Sequence, residues 1–280
     1  MQARKFTFME NVVVNGRKKF SFVTKNGSYG STKNEVFITT KIFADGAEKK
    51  GIIEMYKNPL ISGFTTNPTL MKKAGIKDYI EFSLDILSEI KDKPISFEVF
   101  SDDFEEMEKQ ALEISSWGEN VYVKIPITNT KSQSSFDLIA KLSSANVKIN
   151  VTAILTVEQV KHILPALVES PAAYVSVFAG RIADAGVDPL PVMKKVLDII
   201  KDYPFIELIW ASPRELFNIV QANSIGCDII TATNDILKKL TLLGKDLTEY
   251  SLDTVKMFFN DAKEAGYSIE YDPRSKILAL

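Results

Sequence analysis

The alternation between two kinds of segment constrains the fold of this chain more than any other feature. From residue 36 onward, short apolar runs rich in β-branched residues alternate with segments of helical period, which is typical of βα units and a parallel sheet. Eight strands are predicted, at residues 36–44, 61–65, 95–100, 121–127, 148–154, 173–178, 206–211 and 228–231. Amphipathic helices are predicted at residues 79–90, 104–115, 134–142, 157–164, 191–200, 214–221, 234–242 and about 251–265. Eight such units predict an α/β fold of the (β/α)8 TIM barrel type, because open doubly wound sheets more often have five or six strands.

The first 35 residues differ from the rest in charge and in pattern. Residues 1–34 hold seven lysines and arginines against one acidic residue, Glu10, a formal charge of +6 that leaves −8 for the remainder of a chain with net charge −2. They also contain two Asn-Gly pairs, Asn15-Gly16 and Asn26-Gly27, beside runs of strand-like alternation. We therefore expect a basic, β-hairpin-like N-terminal extension at 1–35, a barrel domain at 36–272 and a C-terminal tail at 273–280.

Composition excludes several classes of function. A pI of about 5.7 and a near-neutral net charge argue against a nucleic-acid or anionic-membrane partner, since either usually draws a strong excess of Lys and Arg. No apolar run approaches the 18 or so residues of a membrane span. One cysteine, Cys227, and a polar N-terminus favour the cytoplasm. The one histidine, His162, is better explained as a packed or solvated helical residue than as a catalyst, so proton transfer should fall to carboxylates, a lysine or water.

Polar residues at the carboxyl ends of the predicted strands are the candidates for chemistry, because a barrel builds its site there. Lys124 interrupts the apolar strand 121–127, Glu98 interrupts 95–100, and Asp45 follows the first barrel strand. Each has an ordinary alternative: Lys124 could extend outward to solvent, Glu98 could pair with a lysine, and Asp45 could cap a helix. In an apolar pocket, however, a lysine loses part of its preference for the charged form, and its neutral amine can attack a carbonyl to form a Schiff base.

Further polar groups follow the later strands. Asn150 and Thr152 share one face of their strand, and Ser176 and Phe178 share one face of the next. Two arginines, at 181 and 214, follow the sixth and seventh strands, where phosphate sites often occur in this fold. The alternative for either arginine is a surface ion pair at a helix start. Together they favour an anionic substrate.

Several of these motifs resemble one known family. Residues 63–70, Gly-Phe-Thr-Thr-Asn-Pro-Thr-Leu, resemble the Thr-Thr-Asn-Pro signature of transaldolases and fructose-6-phosphate aldolases, and residues 123–126, Val-Lys-Ile-Pro, resemble their Schiff-base lysine motif. Residues 43–47, 97–99, 150–152, 176–182 and 211–214 follow in the order of that family's remaining site motifs. The resemblance covers about residues 36–265.

The resemblance implies a mechanism and a role for each position. Lys124 would form an iminium with the C2 carbonyl of a ketose phosphate, Glu98 and Thr152 would orient a proton-shuttling water, and Asp45 would deprotonate the C4 hydroxyl. The implied substrate-binding residues are Thr65, Asn67, Asn150, Ser176, Phe178, Arg181, Ser212 and Arg214. Such covalent catalysis needs neither a metal nor a diffusible cofactor.

The resemblance implies transfer of a dihydroxyacetone unit to an aldose phosphate, as in the pentose phosphate pathway. Glu98 and Phe178 stand where the aldolases of the family carry glutamine and tyrosine, which favours the transferase over the lyase. Pro213, before Arg214, departs from the family pattern and leaves a specialised sugar phosphate open. A barrel without catalytic turnover, serving as a scaffold, is a third alternative. For the extension, a subunit contact in a homo-oligomer, a lid and a docking module for an acidic partner all stay open.

Overall fold

A computed structural model describes residues 9–14, 17–22 and 36–270, with side chains from residue 38 onward. The described residues contain eleven strands: β1 (Met9–Val14), β2 (Arg17–Phe22), β3 (Val36–Ile38), β4 (Lys41–Asp45), β5 (Ile61–Thr65), β6 (Ile95–Glu98), β7 (Val121–Pro126), β8 (Ile149–Ile154), β9 (Ala173–Val177), β10 (Ile206–Trp210) and β11 (Ile229–Thr233). Strands β4 to β11 close into a barrel in which β11 pairs with β4, and every barrel pairing is parallel. The predicted (β/α)8 barrel is thus confirmed.

Helices follow the barrel strands. They are α1 (Lys49–Tyr56), α2 (Pro68–Lys73), α3 (Tyr79–Glu89), α4 (Phe104–Ser116), α5 (Phe136–Ser144), α6 (Val157–Ile163), α7 (Ala179–Asp184), α8 (Pro189–Ile200), α9 (Phe217–Ser224), α10 (Asn234–Leu237) and α11 (Leu247–Glu264). Short 3₁₀ helices continue α6 and α10, at Leu164–Leu167 and Lys238–Leu242. Three of these helices, α1, α2 and α7, were not expected from the sequence. No helix within the described residues has both the length and the apolar content to span a bilayer.

The predicted first strand, 36–44, is in fact two strands. β3 pairs antiparallel with β2, whereas β4 pairs parallel with β5 and β11. Between them, the backbone amide of Thr39 donates to Asn223 Oδ1 at 2.8 Å and the Thr40 hydroxyl donates to the Cys227 carbonyl at 2.8 Å. The first of these bonds satisfies the Thr39 amide at the break, and the second ties the Thr40 side chain to the segment before β11.

The N-terminal extension contributes two strands, β1 and β2, to a three-stranded antiparallel sheet that β3 completes. β1 pairs with β2 so that Val14 lies opposite Arg17, and β2 pairs with β3. Asn15-Gly16 and Asn26-Gly27 lie outside the described residues, as do 271–280. The domain boundaries at 35 and 272 therefore stay predictions.

Alternate residues of the barrel strands face two different apolar clusters. The larger cluster lies between the strands and the helices, and includes Phe64, Phe97 and Trp210. The smaller one fills the lower part of the barrel lumen, where Phe43, Tyr174, Ile209 and Ile229 pack together. The upper lumen, at the carboxyl ends of the strands, is lined by polar residues.

Candidate active site

Polar side chains from non-neighbouring strands meet inside the upper lumen. The Thr65 hydroxyl lies 2.6 Å from the Thr231 hydroxyl, although β4 separates their strands, and Asn150 Nδ2 donates to Ser96 Oγ at 3.0 Å across β7. Such contacts are made only through the lumen. The period of two therefore directs these side chains to one mouth of the barrel.

Lys124 lies at the centre of this polar layer. Its side chain is only 7% exposed, so it does not extend outward to solvent. Its Nζ donates to the Thr66 carbonyl at 2.8 Å and lies 3.0 Å from Glu98 Oε2. Glu98 is the direct register partner of Lys124 on β6. A buried amine held between one carboxylate and one carbonyl has a nearby acceptor for its proton, which a nucleophilic amine must lose before it attacks.

Asp45 forms a second acidic position across the mouth. Its Oδ1 accepts from the Thr65 hydroxyl at 2.8 Å, and its Oδ2 lies 3.5 Å from Asn67 Nδ2. Burial raises the pKa of Asp45 above its usual value, while the Lys124 ammonium and the Thr65 hydroxyl oppose that rise. A raised pKa makes a carboxylate a stronger base. Asp45 does not cap the following helix, because α1 begins at Lys49 after Glu48.

Asn67 lies two residues after the end of β5 and is the N-cap of α2. Its side-chain oxygen accepts from the Leu70 amide at 2.9 Å, a helix cap that leaves the side-chain NH2 group directed at Asp45. Pro68 then occupies the first position of the helix, where a missing amide hydrogen costs little. The Thr-Thr-Asn-Pro sequence thus switches strand to helix and orients one amide donor toward the mouth.

A chain of amide and hydroxyl groups forms the opposite wall. Ser176 Oγ donates to Asn150 Oδ1 at 2.7 Å, and Asn150 Nδ2 in turn donates to Ser96 Oγ. Thr152, the next inward residue of β8, is buried, and its hydroxyl has no hydrogen-bond partner among the described residues. The residue after it, Ala153, has a φ of 62° at an irregularity in the β8 to β9 register. A bulge of this kind ends the regular pairing beside the site and stores backbone strain there.

The two arginines lie at the ends of adjacent strands. Arg181 is exposed, and its guanidinium lies 5.1 Å from the centre of the Phe178 ring. Arg214 forms an ion pair with Asp184, to which its Nε and Nη2 both donate. Its Nη1 donates to Ser212 Oγ at 2.9 Å and to the Ser212 carbonyl at 3.1 Å. Asp184 raises the pKa of Arg214 through this hydrogen bonding, and Arg214 in turn lowers that of Asp184.

The loop between β10 and α9 packs tightly against α7. Ser212 has a φ of 59°, in the left-handed region that few residues other than glycine adopt. Its carbonyl oxygen faces Gly180 so closely that a Cβ added at Gly180 would lie 1.6 Å from it. Glycine at this position therefore fixes where the Arg214 guanidinium is held.

His162 lies outside this constellation. It occupies the last turn of α6, where its Nε2 is 2.9 Å from Ser134 Oγ and its ring packs on Phe136. The sequence-based interpretation of a helical, noncatalytic histidine agrees with this position.

Some residues of the mouth were not identified from the sequence. Ser96 and Thr231 extend the polar layer. Ser96 lies two residues before Glu98 and so on the same face of its strand, and Thr231 is the last residue of the predicted strand 228–231, so both had a signal in the sequence. Thr66 contributes only its carbonyl, and Asp184 meets Arg214 across 30 residues, so neither had a signal in the chain.

Comparisons with known proteins agree on one family. The family model described as Transaldolase/Fructose-6-phosphate aldolase matches residues 42–274. A protein of Dehalococcoides mccartyi named probable transaldolase is 37% identical over 201 residues, which cover 71% of this chain and 89% of that protein. Two further proteins of that name are similar: one from Thermoanaerobacter sp. strain X514, 35% identical over 82% of this chain and all of its own length, and one from Nitrosopumilus maritimus, 34% identical over 76% of this chain and 91% of its own.

Proposed function

The chain belongs to the transaldolase/fructose-6-phosphate aldolase family, and from that premise we propose that it transfers a dihydroxyacetone unit from a ketose phosphate to an aldose phosphate through a Schiff base on Lys124. The observation that carries this proposal is the buried Lys124 amine, 3.0 Å from Glu98 Oε2 and 2.8 Å from the Thr66 carbonyl. A surface lysine would have no need of such partners.

The first stage is formation of the iminium. The neutral Lys124 amine attacks the C2 carbonyl of the ketose phosphate, and the resulting carbinolamine loses water. Glu98 accepts the amine's proton directly. Glu98 and the unpaired Thr152 hydroxyl then hold the water molecule that carries protons to and from the departing oxygen.

The second stage is cleavage of the C3–C4 bond. Asp45, whose pKa is raised by burial, takes the proton of the C4 hydroxyl. The C4–O bond becomes a carbonyl, the aldose phosphate leaves, and the electron pair of the C3–C4 bond passes into the iminium as an enamine. Thr65 and Asn67 donate toward Asp45 and so hold the carboxylate in place as it gains and returns the proton.

The third stage is transfer of the retained unit. Asn67 and Asn150 hold its hydroxyl groups, and Ser176 holds a hydroxyl of the incoming sugar. Arg181, Arg214 and Ser212 bind the phosphate at the far end, beside Phe178, with phosphate replacing Asp184 at the Arg214 guanidinium. The enamine carbon attacks the acceptor aldehyde, Asp45 returns the proton, and water releases the product from Lys124.

Two finer points belong to the same proposal. Phe178 places no hydroxyl beside the enamine, which favours transfer to an acceptor over release to water. We also propose that the reaction belongs to the pentose phosphate pathway. A cytoplasmic location and a homo-oligomeric state stay predictions.

Reductive trapping tests the covalent step. The wild-type enzyme, incubated with fructose 6-phosphate and sodium borohydride, should gain the mass of one reduced sugar adduct, and peptide mapping should place it on Lys124. Lys124→Ala should gain none, and Lys161→Ala, which removes an exposed lysine of α6, should behave as wild type. A wild-type protein that acquires no adduct, or a Lys124→Ala protein that acquires an equal one, contradicts the proposal.

A second assay tests the transfer itself. With erythrose 4-phosphate present, release of glyceraldehyde 3-phosphate from fructose 6-phosphate should accelerate at least tenfold, because the acceptor removes the enamine. Equal rates with and without the acceptor would identify a lyase instead.

A further inference from the structure

The pairing between β5 and β6 ends two residues before Glu98. The last register partners are Thr65 and Ser96, and the last ladder bond runs from the Thr66 amide to the Ser96 carbonyl at 3.1 Å. The Ile95 amide donates to the Asn120 carbonyl, just before β7, and the Val99 amide donates to the Lys124 carbonyl in β7. The Glu98 amide alternates with these two and therefore faces the β5 side. Both backbone polar groups of Glu98 thus face a strand that has already turned away.

The sequence after β5 cannot supply the missing partners. In a continued parallel ladder, the Glu98 amide would donate to the Thr66 carbonyl, and the amide of residue 68 would donate to the Glu98 carbonyl. Residue 68 is proline and has no amide hydrogen. The Thr66 carbonyl is already the acceptor for Lys124 Nζ at 2.8 Å.

One side-chain hydroxyl replaces both missing hydrogen-bond partners of the Glu98 backbone. Tyr79 Oη accepts from the Glu98 amide at 2.9 Å and donates to the Glu98 carbonyl at 2.9 Å. Burial raises the pKa of this phenol above its usual value, so the hydroxyl keeps its proton and can donate at neutral pH. The hydroxyl thus supplies the two hydrogen bonds that a neighbouring strand would otherwise make with the Glu98 backbone.

The position of Tyr79 is itself well defined. It is the first residue of α3, whose N-terminus is capped by the Asp78 side chain. Its ring lies edge-on to Phe97 and Phe100, with centroids 6.4 and 5.0 Å away, and 6.0 Å from the Trp117 ring. This aromatic packing holds the hydroxyl against Glu98.

We propose that Tyr79 is a positioning residue for the reaction: by replacing β5 at Glu98, its hydroxyl fixes the Glu98 carboxylate beside Lys124 and leaves the Thr66 carbonyl available to the amine. The inference rests on the proposed function, since it assigns Tyr79 a role only through Glu98 and Lys124. Tyr79 contacts no reacting atom in this scheme. Its effect should therefore appear in the rate of iminium formation and not in substrate affinity.

The test is Tyr79→Phe, which removes the hydroxyl and keeps the ring. Without its two bonds, the Glu98 backbone competes with Lys124 for the Thr66 carbonyl, and we expect the borohydride trapping rate with fructose 6-phosphate and kcat to fall about tenfold. KM should change less than twofold. Tyr56→Phe is the matched control, because its hydroxyl bonds an exposed side chain, Asp92, at 2.6 Å and lies outside the mouth. It should leave both rates unchanged.

A double-mutant cycle separates positioning from a general structural effect. Glu98→Gln alone should slow trapping, and adding Tyr79→Phe to it should cause a clearly smaller loss than in the wild-type background, because only the competition for the Thr66 carbonyl remains once the carboxylate has lost its charge. All rates are measured below the thermal midpoint of each variant. Equal trapping by Tyr79→Phe and wild type would overturn the inference, as would a full additional loss in the Glu98→Gln background. Absence of trapping in the wild-type protein would instead contradict the proposed function.

Discussion

The absence of a side chain at Gly180 sets the position of the loop that holds Arg214, the proposed phosphate-binding residue, and Gly180→Ala should displace that loop. The new Cβ would lie 1.6 Å from the Ser212 carbonyl oxygen, and such contacts are not tolerated below 3.0 Å, so the loop must retreat by about 1.4 Å. Arg214 Nη1 donates to this carbonyl at 3.1 Å and to Ser212 Oγ at 2.9 Å. Both hydrogen bonds would exceed bonding distance if Ser212 moved that far. The Gly180 amide also loses its 3.4 Å bond to the Ala211 carbonyl.

The expected result has a kinetic part and a stability part. We expect KM for fructose 6-phosphate, and the inhibition constant of inorganic phosphate, to rise at least tenfold, because displacements of about 1 Å at a binding group commonly cost that much or more. The free energy of unfolding in urea should fall by about 1–3 kcal/mol, the usual cost of an overpacked site. Trapping of dihydroxyacetone on Lys124 should be unchanged, since this three-carbon substrate carries no phosphate.

Gly46→Ala is the matched control. Gly46 also lies in a loop at the barrel mouth, but nothing would lie within 4 Å of its added Cβ. The Gly46→Ala protein should therefore bind phosphate as the wild type does. If Gly180→Ala keeps KM and phosphate inhibition within twofold of wild type while it unfolds more easily, the loop does not position a phosphate ligand and the reasoning is refuted.

Two further substitutions test other parts of the site. Asp45→Asn should retain trapping on Lys124 but lose release of glyceraldehyde 3-phosphate by at least a hundredfold, since it removes the base. Because the pKa of Asp45 is raised on folding, the folded state binds more protons than the unfolded state above the usual value of 3.8, and stability falls as pH rises through that window. Urea unfolding at pH 8 should therefore show Asp45→Asn to be the more stable protein, by about 1.4 kcal/mol for each unit of the rise, and a variant less stable than wild type would contradict this. Phe178→Tyr should raise the ratio of acceptor-independent to acceptor-dependent cleavage, measured as glyceraldehyde 3-phosphate release, and an unchanged ratio would count against the role of Phe178.

The barrel could be predicted from the sequence because its signal repeats. All eight predicted strands correspond to strands that the structure contains, and the inward-facing polar residues near their ends form one layer of contacts in the lumen. The helices that were missed are α1, α2 and α7, of eight, six and six residues. Such short helices give too few turns for an apolar period to emerge from loop residues.

The parts of the site that could not be predicted are those that use the backbone or distant pairs. The Thr66 carbonyl and the Glu98 amide carry no mark in the sequence, so the exchange of partners among Thr66, Lys124 and Tyr79 became visible only in three dimensions. The ion pair between Arg214 and Asp184 joins loops that the chain separates by 30 residues. On sequence grounds, either arginine could bind phosphate or form an ion pair. Only the fold showed that Arg214 is paired with Asp184, which a bound phosphate would have to replace.

The presence of two apolar clusters, one around the barrel and one within it, has a consequence for how this enzyme can change. On each strand, the residues that anchor the helices alternate with those that line the lumen, as Phe97 and Val123 alternate with Glu98 and Lys124. Mutagenesis confined to the lumen positions could therefore sample new donor and acceptor sugars while the outer layer keeps the scaffold folded. The same strands allow the catalytic repertoire and the architecture to evolve at separate rates.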